Sequence, residues 1–439
     1  MTFFTDIQTR QDLNLLDRYS NKSVYAIFNQ VKTTGASRLL EKMFNHPLTR
    51  HEAINSRSAI FKYFATLDIE FPIDDEEFLI VESYLESGGI GVTESFTGIV
   101  RIAGLRILGV SGEYDLRIRQ IQALSKFCRQ LNNFIAQILA AGGNNPLAEE
   151  LLAAQDFLSE QINAGLLGHG QEISLSMLIA CDRKFRIHAN QKLLSLVDLV
   201  YHLDLYTAVS TVSRKNRFSY AQALPGNCNT LSMIDCRNPL VKYAKGNSIE
   251  ITRDKNLIFL TGANMAGKST LMKSVGIALY LAHMGFPVPV GQMMFSVMDG
   301  LYTSINISDD LEQGYSHFYA EVKRVKEVAE AVASSKRLFV IFDELFKGTN
   351  VKDAYDATLA VTQAFAKYKQ CGFIISTHIV EVTEELGASK ENIQFCYLPT
   401  KMQEKKPIYT YKLKEGVSDD RHGMVLIRKE GILEMLVME

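Results

Sequence analysis

The chemistry in this chain concentrates in one octapeptide, Gly262-Ala263-Asn264-Met265-Ala266-Gly267-Lys268-Ser269, which has the full GxxxxGK[ST] spacing. It follows the apolar run Leu257–Leu260 and opens a helical pattern that begins Thr270-Leu271-Met272. In such a loop the glycines let backbone N–H groups close around phosphate oxygens at a helix N-terminus. Lys268 supplies positive charge to the β- and γ-phosphates, and the Ser269 hydroxyl can ligate Mg2+. Gly262 to Thr270 are therefore the residues expected to hold a nucleotide with Mg2+. A second apolar run, Leu338–Phe342, ends in Asp343-Glu344. One carboxylate there can complete a Mg2+ shell while the other orients or deprotonates an attacking water. The plain meaning of the pair is an acidic solvated turn, and the phosphate-binding loop upstream turns the reading toward chemistry. A third run, Phe373–Ser376, leads into Thr377-His378, where a histidine can sense a γ-phosphate or hold water. His283 and His317 have no comparable strand-end positions and read as ordinary. Gly314 and Ser316 precede a valine stripe at Val322, Val325, Val328 and Val332. That arrangement is either a second phosphate-facing helix start or a simple helix cap, and on physics alone the cap suffices.

Positioning these groups requires a large scaffold, and 439 residues allow two to four domains. Hydrophobic residues at 47% and charged residues at 22% exclude wholesale disorder and a disulfide-stapled miniprotein. Net charge is 47 − 49 = −2, which excludes a histone-like polybasic protein but leaves a local basic face open. The six cysteines form no CxxC and no metal spacing, so they read as reduced core thiols. The N-terminus lacks a secretory pattern, which makes the expected location cytoplasmic. Ser274 to Met298 carries no formal charge and is long enough to span a bilayer, but its Pro and Gly residues favour a buried helix plus loop and no membrane contact. Helical spacing covers the first two-fifths, with Gly35 and Pro47 as punctuation and longer patterns at 76–85, 117–141, 147–164 and 174–211. Near Pro225 the pattern changes to short apolar strands alternating with helices, closing in a hairpin between 393 and 413. The expected class is thus α + α/β, with a helical region at 1–224 and an α/β domain at 225–439, whose strand ends carry the site.

The order of the motifs resembles the ABC-type P-loop ATPase arrangement and, more closely, the MutS mismatch-repair ATPase family. TGANMAGKST is similar to that family's TGPNMGGKST, and DDLEQGYSHFYAEV to its DDL-x-x-G-x-S-x-F-x-x-E. FDELFKGTN resembles its DE-x-x-x-GT, and STHIVEV its THYFEL. CRNPLVK at 236–242 resembles the R-H-P segment before the ATPase, and YTYKLKEGVSDDRHG the family's ending. SVYAIFNQVKTTGASRLLEKMFNHPLTRHEAINSR resembles the opening of its helical core. The resemblance implies a helical core and lever region followed by an ABC-type P-loop NTPase domain. It also implies a homodimer in which Ser316 contacts the γ-phosphate held by the partner, so that both protomers build each ATP site. Lys268 and Ser269 would hold phosphates and Mg2+, Asp343 would ligate Mg2+, Glu344 would handle the water and His378 would read the γ-phosphate. Tyr243 is the candidate for stacking on adenine.

Departures from the family pattern bear on the substrate. The chain opens at the helical core, with no F-x-E in its first dozen residues, so mismatch reading of the usual kind is not expected. Asn238 stands for the family's His, Ala263 for its Pro and Ala266 for a loop Gly. Basic clusters at Arg183, Lys184, Arg186, His188 and Lys192, at Arg214, Lys215 and Arg217, and at Arg117 and Arg119 suit phosphate contact on duplex, mismatched or branched DNA, or are solvated helix faces. The expected function is an ATP-driven DNA clamp of the repair type, working with other repair proteins. The alternative is an ATP-controlled protein-interaction module that does not bind DNA.

Overall fold

In this computed structural model the described residues are 2–16, 22–88, 97–98, 101, 104, 112–163, 173–263, 265–305, 317–389, 392–403, 406–418 and 435. Asn264, Ser316 and the whole stretch 306–316 lie outside them, as does AGLLGHG at 164–170. The chain folds into two compact units. One comprises Met1–Ile27, Phe44–Ser58 and Asn216–Glu439, the other Phe28–Met43 and Ala59–Lys215. The sequence suggests one boundary near 225, whereas the fold groups two N-terminal stretches with the C-terminal half.

The second unit is helical. Its long elements are Asp75–Glu86, Gly112–Ala140, Ala148–Asn163 and Asn190–Asn216. Apolar residues at three- and four-residue spacing bury Phe61, Phe64, Phe78, Tyr84, Phe127 and Phe134, with edge-to-face pairs such as Phe71 on Phe134 at 5.8 Å. Asp74 and Ser174 cap their helices by accepting the N–H groups of Glu76 and Met177. The pattern over 174–211 suggests one helix, but the chain forms Leu175–Arg183, a π-turn at Lys184–His188 and then Asn190–Asn216. The irregular turn carries Arg186, which donates to both oxygens of the buried Asp182 at 3.3 and 3.2 Å and to the Ser87 carbonyl. A buried carboxylate left unpaired would cost more than one distorted turn. Among the described residues, Asn190–Asn216 is the one helix long and apolar enough to cross a membrane, and 72% of its apolar window is buried within the protein.

The first unit is α/β. Strands β1 (Ser219–Tyr220), β2 (Gln222–Leu224), β3 (Leu231–Cys236) and β4 (Asn247–Ile251) come first, then β5 (Leu257–Thr261) and the helix Lys268–His283. Strands β6 (Pro287–Val288), β7 (Gln292–Ser296) and β8 (Gly300–Ser304) precede the helix His317–Ala333. Strand β9 (Leu338–Phe342), helix Val351–Phe365, β10 (Gly372–Ser376), helix Val382–Ser389 and β11 (Ile393–Tyr397) follow in alternation. Strands β12 (Thr400–Gln403), β13 (Lys406–Tyr409) and β14 (Lys414–Glu415) come last. The main sheet has the order β14-β11-β5-β10-β9-β8, with β11, β5, β10, β9 and β8 parallel and β14 antiparallel at the edge. A four-stranded sheet, β2-β7-β3-β4, packs in the same unit, and β12 pairs with β13 in a hairpin.

Every residue of β5, β8, β9 and β10 is buried, as strands covered on both faces require. The uncharged run 274–298 becomes the buried part of the helix Lys268–His283 followed by β6 and β7. His283 is a satisfied core residue: Nδ1 lies 2.8 Å from the Leu48 carbonyl, Nε2 accepts the Met298 N–H, and burial pushes its pKa down to about 4. All six cysteines are free, and only Cys228 among them is exposed.

Candidate functional site

Three parallel strands bring the sequence motifs together. Strand β10 lies between β5 and β9, so the loops after all three leave the same end of the sheet as neighbours. Ligands bind at this carboxyl end in open α/β sheets. The loop after β5 turns through Gly262 at φ 136° and Gly267 at φ 103°, a region that side chains with a Cβ rarely enter. It also takes Met265 through φ 67° and leaves that side chain exposed. Ala266 is buried, and its small side chain fits where the family pattern has glycine. Lys268 starts the following helix and is 5% exposed, with Nζ donating to the Gly262 carbonyl at 2.8 Å and the Ala263 carbonyl at 3.3 Å. Burial lowers its pKa from the ordinary lysine value, against the opposing pull of Asp343 and Glu344. Ser269 and Thr270 stand exposed in the first turn of that helix.

Strand β9 delivers the two carboxylates, and the strained backbone beyond it fixes them. Glu344 has φ 58° and Phe346 φ 60°, unusual values for residues with side chains. Ser376 at the end of β10 stabilises this turn. Its hydroxyl donates to Asp343 Oδ1 at 2.5 Å, and its Oγ and carbonyl each accept the Glu344 N–H at 3.1 Å. The Asp343 N–H in turn donates to the Ser304 carbonyl of β8 at 2.9 Å. His378 Nε2 is hydrogen-bonded to Glu344 Oε1. That bond holds the Glu344 carboxyl below its ordinary pKa, with burial opposing and Lys268 assisting. Glu344 and His378, expected from sequence to act separately, thus form a pair.

The loop after β5 and Glu344 open into a cleft of about 610 Å3. Lys268, Ser269, Thr270 and Glu344 line one part of it, and Asn238, Lys242, Tyr243 and Tyr411 another. Tyr243, at φ 60°, is 85% exposed, so its ring is available to a ligand. Tyr411, half exposed, comes from the segment after β13. Asn247 fixes that segment by donating to the Tyr411 carbonyl at 3.0 Å and accepting the Leu413 N–H at 2.7 Å. Two aromatic side chains from separate loops offer faces to a planar base. The Ser269 hydroxyl and the Asp343 carboxylate are hard oxygen donors of the kind Mg2+ takes. Among the described residues no group of three or more His, Cys, Asp and Glu forms a metal cage, so a cation here would complete its shell with phosphate oxygens and water.

Sequence reasoning missed Ser376 and Tyr411. Ser376 sits inside the motif that supplied His378, and its signal is a hydroxyl ending a wholly apolar strand. Tyr411 lies far from the phosphate loop in sequence, and only the chain's return through β13 brings it to the cleft. Ser316 and Asn264 lie outside the described residues.

Residues 258–439 match the family model for MutS domain V. The chain is 23% identical over 375 residues to the DNA mismatch repair protein MutS of Syntrophobacter fumaroxidans, an alignment covering 80% of this chain and 42% of that protein. It is 27% identical over 250 residues to MutS of Petrotoga mobilis, covering 55% of this chain and 29% of the relative. To MutS of Staphylococcus carnosus it is 28% identical over 240 residues, covering 53% and 27%. The chain therefore spans less than half the length of these relatives.

Proposed function

We propose that this chain is a MutS-like ATPase, which hydrolyses ATP to ADP and phosphate and uses the cycle to switch a dimeric clamp on DNA. The observation that carries the chemistry is the convergence of the 262–269 loop, Asp343-Glu344 and His378 at the ends of three adjacent parallel strands. In this reading backbone N–H groups of the loop and Lys268 bind the phosphates, exchanging the lysine's bonds to Gly262 and Ala263 for phosphate oxygens. The base lies against Tyr243 and Tyr411. Ser269 and Asp343 would hold Mg2+, which when bound neutralises charge on the phosphates. Glu344 orients the attacking water and takes up its proton, a role suited to a carboxyl kept ionised by His378. On γ-phosphate arrival His378 would exchange its bond to Glu344 for one to phosphate, freeing the carboxylate for water. The dimer, the ABC-type composite site with Ser316 and the division into a core and lever region and an ATPase domain belong to the same proposal and rest on the resemblance.

The DNA partner rests on the relatives, which are named as DNA mismatch repair proteins. One observation favours a second reading, in which the helical unit grips a protein. Arg186, buried, is tied to Asp182, and Arg117, 17% exposed, lies 3.9 Å from the same carboxylate and donates to Gln120 Oε1 at 3.1 Å, which removes two arginines from the expected basic faces. Arg119, Arg183, His188, Lys192, Arg214, Lys215 and Arg217 remain exposed. The deciding experiment measures the ATPase rate of the chain and of Lys268→Ala with homoduplex, mismatched and four-way-junction DNA at two salt concentrations. Turnover abolished by Lys268→Ala and stimulated by one DNA in a salt-sensitive manner supports the clamp. Normal turnover indifferent to every DNA favours the protein-binding reading, and turnover that survives Lys268→Ala refutes the assigned site.

A further inference from the structure

The N-terminal segment 2–16 is bonded into the far edge of the ATPase sheet through groups that the catalytic reading does not use. Phe4 bridges Gly300 of β8 in parallel, with its N–H donating to the Asp299 carbonyl at 2.9 Å and its carbonyl accepting the Leu301 N–H at 3.0 Å. A Cβ on Gly300 would stand 2.8 Å from the Phe4 carbonyl oxygen, so this approach needs the glycine. Further along, the short helix Ile7–Asp12 aims Thr9 and Asp12 at the end of β8. Thr9 Oγ1 accepts the Thr303 N–H at 2.9 Å. Asp12, 3% exposed, accepts from the Thr303 hydroxyl at 2.7 Å and from the Ile305 N–H at 2.9 Å through one oxygen, Oδ2. Arg324 of the helix His317–Ala333 ties the same place together by pairing with Asp6 and donating to the Thr303 carbonyl at 2.7 Å.

Asp12 therefore grips the residues on both sides of Ser304, and the Ser304 carbonyl is the acceptor for the Asp343 N–H. We propose that Asp12 is a positioning residue for the nucleotide site, holding the end of β8 so that Asp343 meets Mg2+ and phosphate in register. The inference rests on the proposed ATPase reading. A carboxylate bonded to a backbone N–H and a hydroxyl in a buried setting forms strong, directional bonds. Releasing them frees residues 303–305 to shift by fractions of an ångström, which a metal–phosphate site registers as lost affinity and rate.

The test uses the full chain, a fluorescent ATP analogue and the variants Asp12→Ala, which removes the oxygen that accepts both bonds, and Thr303→Val. Thr303→Val keeps the side-chain shape and the Asp12–Ile305 bond, so it provides a folded variant in which only the hydroxyl contact is missing. Binding is measured with and without Mg2+, alongside thermal unfolding. The expected result is that the gain in affinity on adding Mg2+ falls about tenfold in Asp12→Ala and less in Thr303→Val, while affinity without Mg2+ stays within about twofold of wild type. A lower melting temperature with the Mg2+ gain intact would mean that Asp12 only supports the fold, and would overturn the proposal. Wild-type protein that binds no nucleotide would instead overturn the ATPase reading and this inference with it.

Discussion

Glu344 shows how one side chain's setting fixes both its chemistry and its contribution to stability. Its backbone is held in the left-handed region by Ser376, and its carboxylate is kept ionised by the bond to His378. Because its pKa in the folded protein lies below 4.5, the ordinary glutamate value, the ionised form stabilises the native state. That contribution is whole above pH 4.5 and is lost as the pH falls through the lowered value. The difference in melting temperature between wild type and Glu344→Gln should therefore shrink on acidification from about pH 6 to about pH 3. A difference that widens over that range would show that the His378 contact does not hold the carboxyl down. Lys268 carries the opposite tension, since burial disfavours its charge while the neighbouring carboxylates favour it. An arriving triphosphate would relieve that tension, which is a physical reason for the lysine to rest on loop carbonyls until then.

At the scale of elements, periodicity anticipates the helices and the three site-bearing strands because each is a local pattern of buried and exposed positions. It fails where a distant group decides. Gly35 reads as punctuation in the sequence, yet it lies inside the helix Thr34–Asn45, where a Cβ would stand 2.0 Å from the Tyr201 ring. The missing side chain leaves room for an aromatic ring from the helix Asn190–Asn216. Gly35→Ala should lower stability by about 1–3 kcal/mol through overpacking, although alanine is the better helix former. Urea unfolding checks this, and a variant as stable as wild type would rule out close packing of that ring. The π-turn at Lys184–His188 has the same kind of origin, since the need to pair Asp182 is written in charge and burial rather than in helical spacing.

For the whole molecule, the alternation of residues between the two units makes a domain boundary a matter of packing rather than of sequence position. The chain passes from one unit to the other after Ile27, Met43, Ser58 and Lys215. If ATP closes a dimer and hydrolysis reopens it, Glu344→Gln should bind ATP but turn over about 10²–10⁴-fold more slowly. The trapped species should then elute as a dimer in size-exclusion chromatography with ATP and Mg2+. A monomer that holds ATP without turnover would remove the shared site from the mechanism and leave the single-chain site standing.

The sequence by itself determined the glycine-rich 262–269 loop, the acidic pair, the strand-end histidine and the α/β character around them. Those signals are contiguous, because a strand, its loop and the next helix are made from neighbouring residues. Only the tertiary structure decided that Ser376 braces the Asp343 carboxylate and the Glu344 backbone N–H, that His378 pairs with Glu344, that Tyr411 joins Tyr243 at the cleft and that Asp12 reaches Thr303 and Ile305. The partners in these contacts are separated by 32 to 293 residues where the bonds are direct. No local spacing encodes such pairs. They exist because a parallel sheet sets distant strands side by side and because buried polar groups must find donors and acceptors wherever the fold brings them.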